Sequence, residues 1–358
     1  MDRLKRLTCI LVILAMTAAL SACGKAAPAE NTPVQGDNYY LDTICTISIY
    51  AMQGDDGIVP ASEMQDAAEA AIDDAFKLCS ELDRTLSRTR DDSEIGKVNA
   101  AKGEWVEVSD YTAELVKAGI EYSKLSDGDF DITVGGVTDL WDFHAEPEDA
   151  RLPDADALAE AVKHVDYRNV EVDGNRIRLK DPDARIDLGG IAKGYVGDRM
   201  TEVLVNDGVT SGIINLGGNV ICIGGKYTDG SSEDGGFMIG VEAPFSDRAE
   251  IVGKVEAKDM TLVTSGVYER KIEVDGKLYH HILSTETGWS VDTDLYSVTL
   301  VGSTGKSADL DALSTICLIK GSEDAKALIE DTDGVEAVFV LSDGSIDQTS
   351  GMEFEPAE

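Results

Sequence analysis

The order of the periodic segments is the feature that most constrains the fold. Apolar residues recur at helical spacing early in the chain (61–84 and 111–126) and again late (307–319 and 323–331). Between them, 211–302 contains mostly short strands separated by glycine turns. Helices that are segregated from strands in this way favour an α+β fold over a regular βαβ winding. The sequence therefore predicts a compact catalytic unit of mixed sheet and helix, with two lobes as an alternative.

Five further elements follow from local patterns. Alternating β-branched and aromatic residues predict strands, and apolar residues at three- and four-residue spacing predict helices. These elements are a strand at 39–51, a short helix at 153–162, a hairpin at 168–187, a helix at 190–206 and a strand at 335–341.

The N-terminal segment has the pattern of a secretory signal. Three basic residues precede an apolar run at 7–20, which is shorter than the ~20 residues that span a bilayer as a helix. The run ends in Leu20-Ser21-Ala22-Cys23-Gly24, which resembles the lipobox of bacterial lipoproteins. We therefore expect 1–22 to be a lipoprotein signal peptide and Cys23 to carry lipid. An ordinary signal peptide with a chance cysteine is the alternative.

The remainder divides into a tether and a domain. Residues 23–37 are rich in Ala, Pro, Glu, Asn and Gly, which is typical of a flexible tether, and 38–352 is the predicted catalytic domain. Acyl chains on Cys23 would hold the protein at a membrane without a spanning helix. We expect an extracytoplasmic protein that is lipid-anchored to the bacterial membrane.

The charge balance limits the possible partners. The chain has 68 acidic and 31 basic side chains and a formal net charge of −37. Nucleic-acid binding requires a basic face, so nucleic acid is not an expected partner. An anionic substrate such as a pyrophosphate is compatible with this charge if a divalent cation lies between it and the protein.

The four cysteines that follow Cys23 are expected in the core. Cys45, Cys79, Cys222 and Cys317 each lie in an apolar run, and no CxxC spacing occurs. This pattern favours small buried hydrophobic residues over a disulfide framework or a zinc site.

The common nucleotide and hydrolase motifs are absent from the sequence. Gly224-Gly225 and Gly235-Gly236 do not give GxGxxG, and 189–194 lacks the spacing and the Ser/Thr of a P-loop. Neither GxSxG nor HExxH occurs. These observations argue against Rossmann-type dehydrogenases, P-loop NTPases and zinc peptidases.

One segment has the composition of an anion site. Asp187 ends a predicted strand, Gly189-Gly190 forms a turn, and a helix follows. Glycines allow close approach of a ligand to the backbone, and a helix N-terminus offers free N–H groups to an anion. Lys193 lies in the first turn of this helix, either facing phosphate or simply solvated.

A second segment offers hard oxygen ligands. Asp311 and Thr315 are i and i+4, so they share one face of an otherwise apolar helix. A carboxylate and a hydroxyl there suit Mg²⁺ or Ca²⁺. The alternative is an Asp in the first turn with Thr315 bonded to its own i−4 carbonyl, and Asp309 is a competing ligand.

Two further segments could contribute polar groups. Asp129, Phe130 and Asp131 precede Trp141, and the acids could bind a heteroaromatic ring or ribose, or only form turns beside a core tryptophan. His280 and His281 are adjacent on a predicted strand, so their side chains point to opposite faces and at most one enters a site.

Taken in order, six segments resemble the FAD:protein FMN transferase (ApbE) family. They are Leu86-Ser87 with Ser93-Glu94-Ile95 and Asn99, Phe130-Asp131-Ile132-Thr133-Val134-Gly135 through Trp141, Asp187-Leu188-Gly189-Gly190-Ile191-Ala192-Lys193-Gly194, Asn215-Leu216-Gly217-Gly218-Asn219, Thr264-Ser265-Gly266 with Tyr268-Glu269-Arg270, and Asp311-Ala312-Leu313-Ser314-Thr315.

The chain also departs from the family pattern at three places. The usual Met-Gly-Thr is Leu41-Asp42-Thr43, and the usual aromatic residue two positions after Ser87 is Thr89. In the segment that starts at His281, Ser284-Thr285 replaces an Asp-Pro pair.

The resemblance implies a reaction and a set of roles. The protein would transfer FMN from FAD to a Ser or Thr hydroxyl on an acceptor flavoprotein and release AMP, with Mg²⁺ as cofactor. The implied catalytic residues are His281 and Asp311; the implied metal ligands are Gly190, Asp311, Ser314 and Thr315; the implied FAD-binding residues are Leu41, Thr89, Asp129, Phe130, Asp131, Asp187, Lys193 and Thr285. An FAD pyrophosphatase and a non-catalytic flavin-binding lipoprotein are the alternatives.

Overall fold

Buried and partly exposed side chains alternate along strand β2 of the main sheet, Thr43–Gly54. In β2, Cys45, Ile47 and Ile49 point into the core while the residues between them are partly exposed.

The computed structural model describes residues 32–227, 235–246 and 250–357. Within these residues the strands are β1 (Val34–Tyr40), β2 (Thr43–Gly54), β3 (Gly57–Pro60), β4 (Val106–Glu107), β5 (Val170–Asp173), β6 (Arg176–Leu179), β7 (Val209–Leu216), β8 (Asn219–Ile223), β9 (Phe237–Glu242), β10 (Ile251–Ala257), β11 (Met260–Gly266), β12 (Lys271–Val274), β13 (Lys277–His280), β14 (Leu295–Ser303), β15 (Glu336–Leu341), β16 (Ile346–Gln348) and β17 (Glu355–Pro356).

Nine strands form the main sheet. Its order is β1-β2-β7-β8-β11-β14-β15-β16, with β3 paired to β2, and every pairing is antiparallel. Smaller sheets are formed by β17-β10-β9, β12-β13 and β4-β6-β5. The segregation of strands and helices is that of an α+β fold, as the sequence predicts.

The described residues contain eight helices, four of which pack against strands of the main sheet. They are α1 (Gln65–Leu86), α2 (Glu94–Ala100), α3 (Asp110–Leu125), α4 (Gly135–Thr138), α5 (Ala155–Ala161), α6 (Ala192–Asn206), α7 (Ser307–Lys320) and α8 (Ser322–Glu330), with short 3₁₀ turns at Ala61–Met64, Val162–His164 and Tyr167–Asn169.

The central helix of this layer is α7, which is apolar on nearly all sides. Leu310, Ile316 and Cys317 are fully buried in the core that α7 shares with α6, β11 and β14. A helix that is hydrophobic all round must be enclosed, which explains its position between the sheet and α6. The β17-β10-β9 sheet covers the opposite face of the main sheet, where Phe237 and Val255 pack against Leu262.

The predicted strand at 39–51 is instead a hairpin. Leu41 and Asp42 form a two-residue turn between β1 and β2, and both have positive φ, at 53° and 58°. Asn-Gly is the common sequence for such a turn, so Leu-Asp gave no warning of it. Pairing of Val34 with Ile49 extends β1 into the predicted tether, whose last residues therefore belong to the sheet.

Other boundaries differ for local reasons. The hairpin predicted to reach 187 stops at Leu179, and the 180–187 segment contributes an isolated bridge at Arg185. The seven-residue α2 was not predicted; Ser93 caps it by accepting the N–H of Gly96. From Pro33 onward the chain packs as one compact unit, which favours the single-unit expectation over two lobes.

The cysteine prediction is confirmed. Cys45, Cys79, Cys222 and Cys317 are free thiols and all are buried. The predicted signal peptide and Cys23 lie outside the described residues. Within those residues, no helix has both the length and the apolar character needed to cross a bilayer.

Candidate active site

An open cavity of about 210 Å³ lies where the N-terminal end of α6 approaches α7. Ten of the residues predicted for the site line it. They are Asp129, Phe130, Asp131, Asp187, Gly190, Lys193, His281, Thr285, Asp311 and Thr315.

The glycine turn and the acid–hydroxyl pair meet at the base of this cavity. The N–H of Gly194 donates to Oδ2 of Asp311 at 2.8 Å, across 117 residues of sequence. A Cβ placed on Gly190 would lie 3.5 Å from Oγ1 of Thr315 and 2.8 Å from the Phe130 ring, so a side chain at this position would collide with the aromatic wall. The bare backbone of Gly190 therefore faces the Asp311–Thr315 side of α7.

Asp311 is a buried carboxylate with only 3% of its surface exposed. Burial raises its pKa, while Lys193 and the Gly194 N–H oppose that shift. Thr315 makes a long contact of 3.4 Å with its i−4 carbonyl, on Asp311. Asp309, the competing candidate, pairs with Lys306 at 3.1 Å and is not among the residues that line the cavity.

Asn219 is a neighbour of Asp311 that the sequence reasoning did not single out. Its side chain is fully buried against the Asp311 carboxylate, and neither its Oδ1 nor its Nδ2 makes a hydrogen bond of normal geometry. Asn219 follows the Gly217-Gly218 turn, where Asn is usually a turn former, so local sequence gave little sign of a role. Asp311, Thr315, Gly190 and Asn219 together could present oxygen atoms to a hard cation.

Neither the predicted metal ligand Ser314 nor a second cluster of possible ligands, His164, Asp181 and Asp183, lines the cavity. Ser314 is outside the cavity lining, with its hydroxyl bonded to Ser265 Oγ at 2.7 Å and to the Asp311 carbonyl at 2.9 Å. His164, Asp181 and Asp183 also lie close together, but Asp183 pairs with Lys102 at 3.0 Å and none of the three lines the cavity.

Lys193 is held inside the cavity rather than in solvent. Its side chain is 19% exposed, and Nζ lies 3.9 Å from the Glu269 carboxylate. It also acts electrostatically on Asp311 and His281. Such a lysine provides positive charge within reach of an anionic ligand, so the solvated alternative does not describe its position.

The strand predicted to carry both histidines ends at His280, the last residue of β13, and His281 follows it in a bend. Of the two, His281 alone lines the cavity, so one histidine enters the site, as expected. His281 lines the cavity, and its Nδ1 lies 3.3 Å from the carbonyl oxygen of Arg270. Burial, reinforced by Arg270, lowers the pKa of His281 to about 3, so the ring is neutral near pH 7. A carbonyl can only accept, so the proton resides on Nδ1 and Nε2 retains a free lone pair. His280 is buried outside the lining, and burial lowers its pKa to about 4.

Asp187 has both carboxylate oxygens engaged on the cavity wall. Oδ1 accepts the N–H of Gly189 at 2.9 Å, and Oδ2 pairs with Nε of Arg88 at 3.0 Å. Arg88 also bonds Asp139 and lines the cavity. Sequence reasoning missed Arg88 because an arginine between Ser87 and Thr89 resembles an ordinary surface residue.

Polar contacts hold three further residues of the cavity wall, Asp131, Thr285 and Asp129. Oδ1 of Asp131 accepts the N–H and hydroxyl of Thr133, and its Oδ2 accepts the N–H of Tyr167. The Thr285 hydroxyl donates to the Gly128 carbonyl at 2.9 Å, and Asp129 lies 3.4 Å from Nζ of Lys320. Asp131 is thus a structural anchor of this wall.

Two predicted flavin contacts are not among the cavity-lining residues. Leu41 is half-buried in the β1–β2 turn, where its N–H donates to Asp83 at 3.2 Å. Thr89 lies with its hydroxyl 3.1 Å from that of Ser87. Side-chain direction in a turn and after a helix end cannot be read from residue type alone.

Known proteins share both the sequence pattern and this architecture. A sequence profile of the ApbE family matches residues 41–339. A protein named FAD:protein FMN transferase from Treponema pallidum (strain Nichols) is 29% identical over 352 residues, covering 95% of this chain and 93% of that protein. One of the same name from Klebsiella pneumoniae (strain 342) is 30% identical over 283 residues, covering 78% of this chain and 84% of the relative.

Solved structures agree with the fold. The ApbE protein of Thermotoga maritima superposes with a TM-score of 0.77 at 30% identity, covering 89% of this chain and 97% of that one. The apo form of the flavinyl transferase ApbE of Pseudomonas stutzeri gives 0.73 at 28% identity, covering 89% and 95%. With the family profile spanning most of its length, this chain belongs to the ApbE family.

Proposed function

We propose that this protein transfers FMN from FAD to a Ser or Thr hydroxyl of an acceptor flavoprotein, in a reaction that depends on Mg²⁺ and releases AMP. The acceptor oxygen forms a bond to the FMN phosphorus, and the bond from that phosphorus to the bridging oxygen breaks. The observation that carries this proposal is the contact of Gly194 with Asp311 beneath a cavity that also contains Lys193 and a neutral His281.

Charge and backbone geometry support binding of the pyrophosphate. Lys193 supplies positive charge from a largely buried position, and the turn before α6 presents its backbone to the cavity. Positioning and neutralisation of charge are the main requirements of phosphoryl transfer. We assign the flavin-facing wall to Asp129, Phe130, Asp187 and Thr285, since Leu41 and Thr89 are not among the lining residues.

The residues on α7 fit a divalent ion. Asp311, Thr315 and the Gly190 carbonyl would hold it, and the buried amide of Asn219, which makes no hydrogen bond of normal geometry beside Asp311, supports this assignment. Oxygen ligands of this kind suit Mg²⁺. A bound Mg²⁺ would supply charge stabilisation at the pyrophosphate oxygens.

We assign to His281 the role of accepting the proton of the acceptor hydroxyl. Its Nδ1–H is directed to the Arg270 carbonyl, which leaves Nε2 as the acceptor. Binding of an anionic substrate nearby raises the pKa of the imidazole towards the range where it holds a proton. Lys193 and the backbone before α6 would thus bind and orient the pyrophosphate of FAD, and His281 would deprotonate the acceptor hydroxyl, all within one cavity.

An experiment with the full-length protein tests the reaction. FAD, Mg²⁺ and a candidate acceptor flavoprotein are incubated with it, and the acceptor is weighed by mass spectrometry while AMP is measured. Covalent FMN on the acceptor with equimolar AMP is the expected result. Free FMN and AMP with an unmodified acceptor would replace this proposal with an FAD pyrophosphatase, and bound flavin without AMP would indicate a binding lipoprotein.

We also propose that the protein works outside the cytoplasm, anchored by lipid on Cys23. The lipobox-like sequence and the short apolar run support this. Cys23→Ser should move the protein from the membrane fraction to the soluble fraction or block its processing. Membrane retention of this variant, with no fatty acid incorporated by the wild type, would contradict the anchor.

A further inference from the structure

Asn219 occupies a fixed place at the floor of the candidate metal site. It is the first residue of β8, and its backbone is in register with Val263 of β11. The turn before it is locked because Oδ1 of Asn215 accepts the N–H groups of Gly217 and Gly218. Asn219 lies on the same face of β8 as Ile221 and Ile223, which belong to the core that includes α7, so its side chain faces the layer where Asp311 lies.

The Asn219 amide interacts with the Asp311 carboxylate but makes no hydrogen bond of normal geometry. It is 0% exposed, and both Oδ1 and Nδ2 lack hydrogen bonds of normal geometry. An amide has two donors and two acceptor lone pairs, and buried amides are nearly always paired. An unpaired amide this deep in a core lowers stability unless a ligand, ion or ordered water completes it.

Asp311 is the polar group that the amide faces. The Asn219 side chain lies against the Asp311 carboxylate and favours its charged form. The Gly194 N–H also donates to Oδ2 of Asp311 at 2.8 Å. Asp311 is thus flanked by a backbone donor and by a side chain that has spare hydrogen-bonding capacity.

We propose that Asn219 is a positioning residue of the divalent-cation site, which orients the Asp311 carboxylate with its amide and completes its own hydrogen bonding only when the hydrated ion is bound. This inference rests on the proposed function, because it assumes that Asp311 is a metal ligand. Outer partners of metal ligands commonly change metal affinity by about 10–100-fold when they are removed.

A titration with Mn²⁺ alone tests the proposal without relying on activity. The full-length protein, free of FAD, is titrated with Mn²⁺ and the free ion is followed by electron paramagnetic resonance. The Asp311→Asn variant gives the background, because His164, Asp181 and Asp183 form another group that could take an ion. We expect Asn219→Leu to raise the Asp311-dependent dissociation constant about tenfold or more.

Thr261→Val is the matched control. Thr261 is also 0% exposed with an unpaired side-chain oxygen, and it lies on β11 opposite Ile221 of β8. It is not among the groups that act on Asp311. Thr261→Val should leave Mn²⁺ affinity unchanged.

Thermal unfolding separates positioning from a structural role. Leucine removes an unpaired buried amide, so Asn219→Leu without metal should unfold at or above the wild-type temperature, while the rise in Tm caused by Mn²⁺ shrinks. A lower Tm without metal together with an undiminished Mn²⁺ response would overturn the proposal. Asn219→Ala serves the same comparison if the leucine variant does not fold.

The outcomes also distinguish this inference from the proposed function. Asp311-dependent Mn²⁺ binding that is equal in wild type and Asn219→Leu would refute the role of Asn219 and leave the metal site intact. Wild-type protein without Asp311-dependent binding would refute both the metal site and the role of Asn219. FMN transfer to an acceptor is measured separately and decides the reaction itself.

Discussion

The backbone N–H of Gly194 donates a hydrogen bond of 2.8 Å to Oδ2 of Asp311. A hydrogen bond to a charged acceptor is stronger than one between neutral groups and fixes the orientation of the carboxylate. Gly194 is itself confined, because a Cβ there would lie 2.1 Å from the carbonyl oxygen of Ser307. Backbone packing between α6 and α7 therefore sets the position of Asp311.

Asp311→Asn should abolish most FMN transfer while the protein stays folded. Asparagine keeps an oxygen for the Gly194 N–H but loses the negative charge that binds a cation. Loss of several kcal/mol of charge stabilisation corresponds to a rate about 100-fold or more lower. The rate of flavin incorporation into the acceptor, followed by in-gel fluorescence, measures this.

Asp309→Asn provides the control for Asp311→Asn on the same helix. Asp309 pairs with Lys306 and is not among the cavity-lining residues, so its variant should keep near-normal transfer. Near-normal transfer by Asp311→Asn at saturating Mg²⁺ would remove Asp311 from the metal site.

Lys193→Met should weaken FAD binding. The lysine is largely buried at the cavity wall, where its charge is poorly screened. We expect the dissociation constant of FAD to rise about tenfold or more, equivalent to about 1.4 kcal/mol. Quenching of flavin fluorescence measures the affinity.

The exposed pair of Lys102 with Asp183 supplies the comparison for Lys193. Lys102→Met removes the same charge far from the lining and should leave FAD affinity unchanged. Equal affinities for wild type and Lys193→Met would show that Lys193 does not contact FAD.

Gly194→Ala should destabilise the protein. The added Cβ would meet the backbone of Ser307 and Ala308, which cannot yield without moving α7. Overpacking that shifts the backbone costs about 1–3 kcal/mol. Urea unfolding followed by circular dichroism gives the change in free energy.

Gly136→Ala is the matched glycine variant. No atom lies within 4 Å of a Cβ at that position, so the change should alter stability by less than about 0.5 kcal/mol. A Gly194→Ala protein as stable as Gly136→Ala would contradict the close approach of α6 to α7.

Acid should weaken the fold through His280. Its pKa is about 4 in the folded chain against an ordinary value of 6.5, because burial disfavours the charged ring. The unfolded chain therefore binds more protons between these values, and the free energy of unfolding falls as pH drops through that window by up to about 1.4 kcal/mol per pH unit.

His280→Leu should reduce this dependence. Asp198, whose pKa burial raises to about 6, contributes with the opposite sign but is present in both proteins, so it cancels in the difference. Urea unfolding at several pH values compares wild type with the variant. Parallel stability curves for the two proteins would show that His280 does not stay neutral in the fold.

Strong periodicity predicted much of the fold. The helix expected at 111–126 is Asp110–Leu125, and the one expected at 323–331 is Ser322–Glu330, because apolar spacing over several turns specifies a buried face. The β1–β2 turn was missed because Leu41 and Asp42 adopt positive φ without the usual Asn-Gly sequence. Short elements such as α2 depend on one cap, at Ser93, rather than on periodicity.

The site was less accessible to sequence reasoning than the fold. Residue type and spacing predicted that Asp311 and Thr315 share a face, but only packing of α6 on α7 brings them to Gly190. Arg88 and Asn219 were assigned no role because their contacts are with residues distant in sequence, Asp187 and Asp311. Conversely, Thr89 was expected to bind FAD from its position two residues after Ser87 in the family pattern, but it is not among the residues that line the cavity.

The long sequence interval bridged by the α6–α7 contact bears on biosynthesis. Gly194 is synthesised 117 residues before Asp311, so a chain that ends before Asp311 lacks the carboxylate that holds the start of α6 against α7. The contact between α6 and α7 can therefore form only once 311 of the 358 residues have been made.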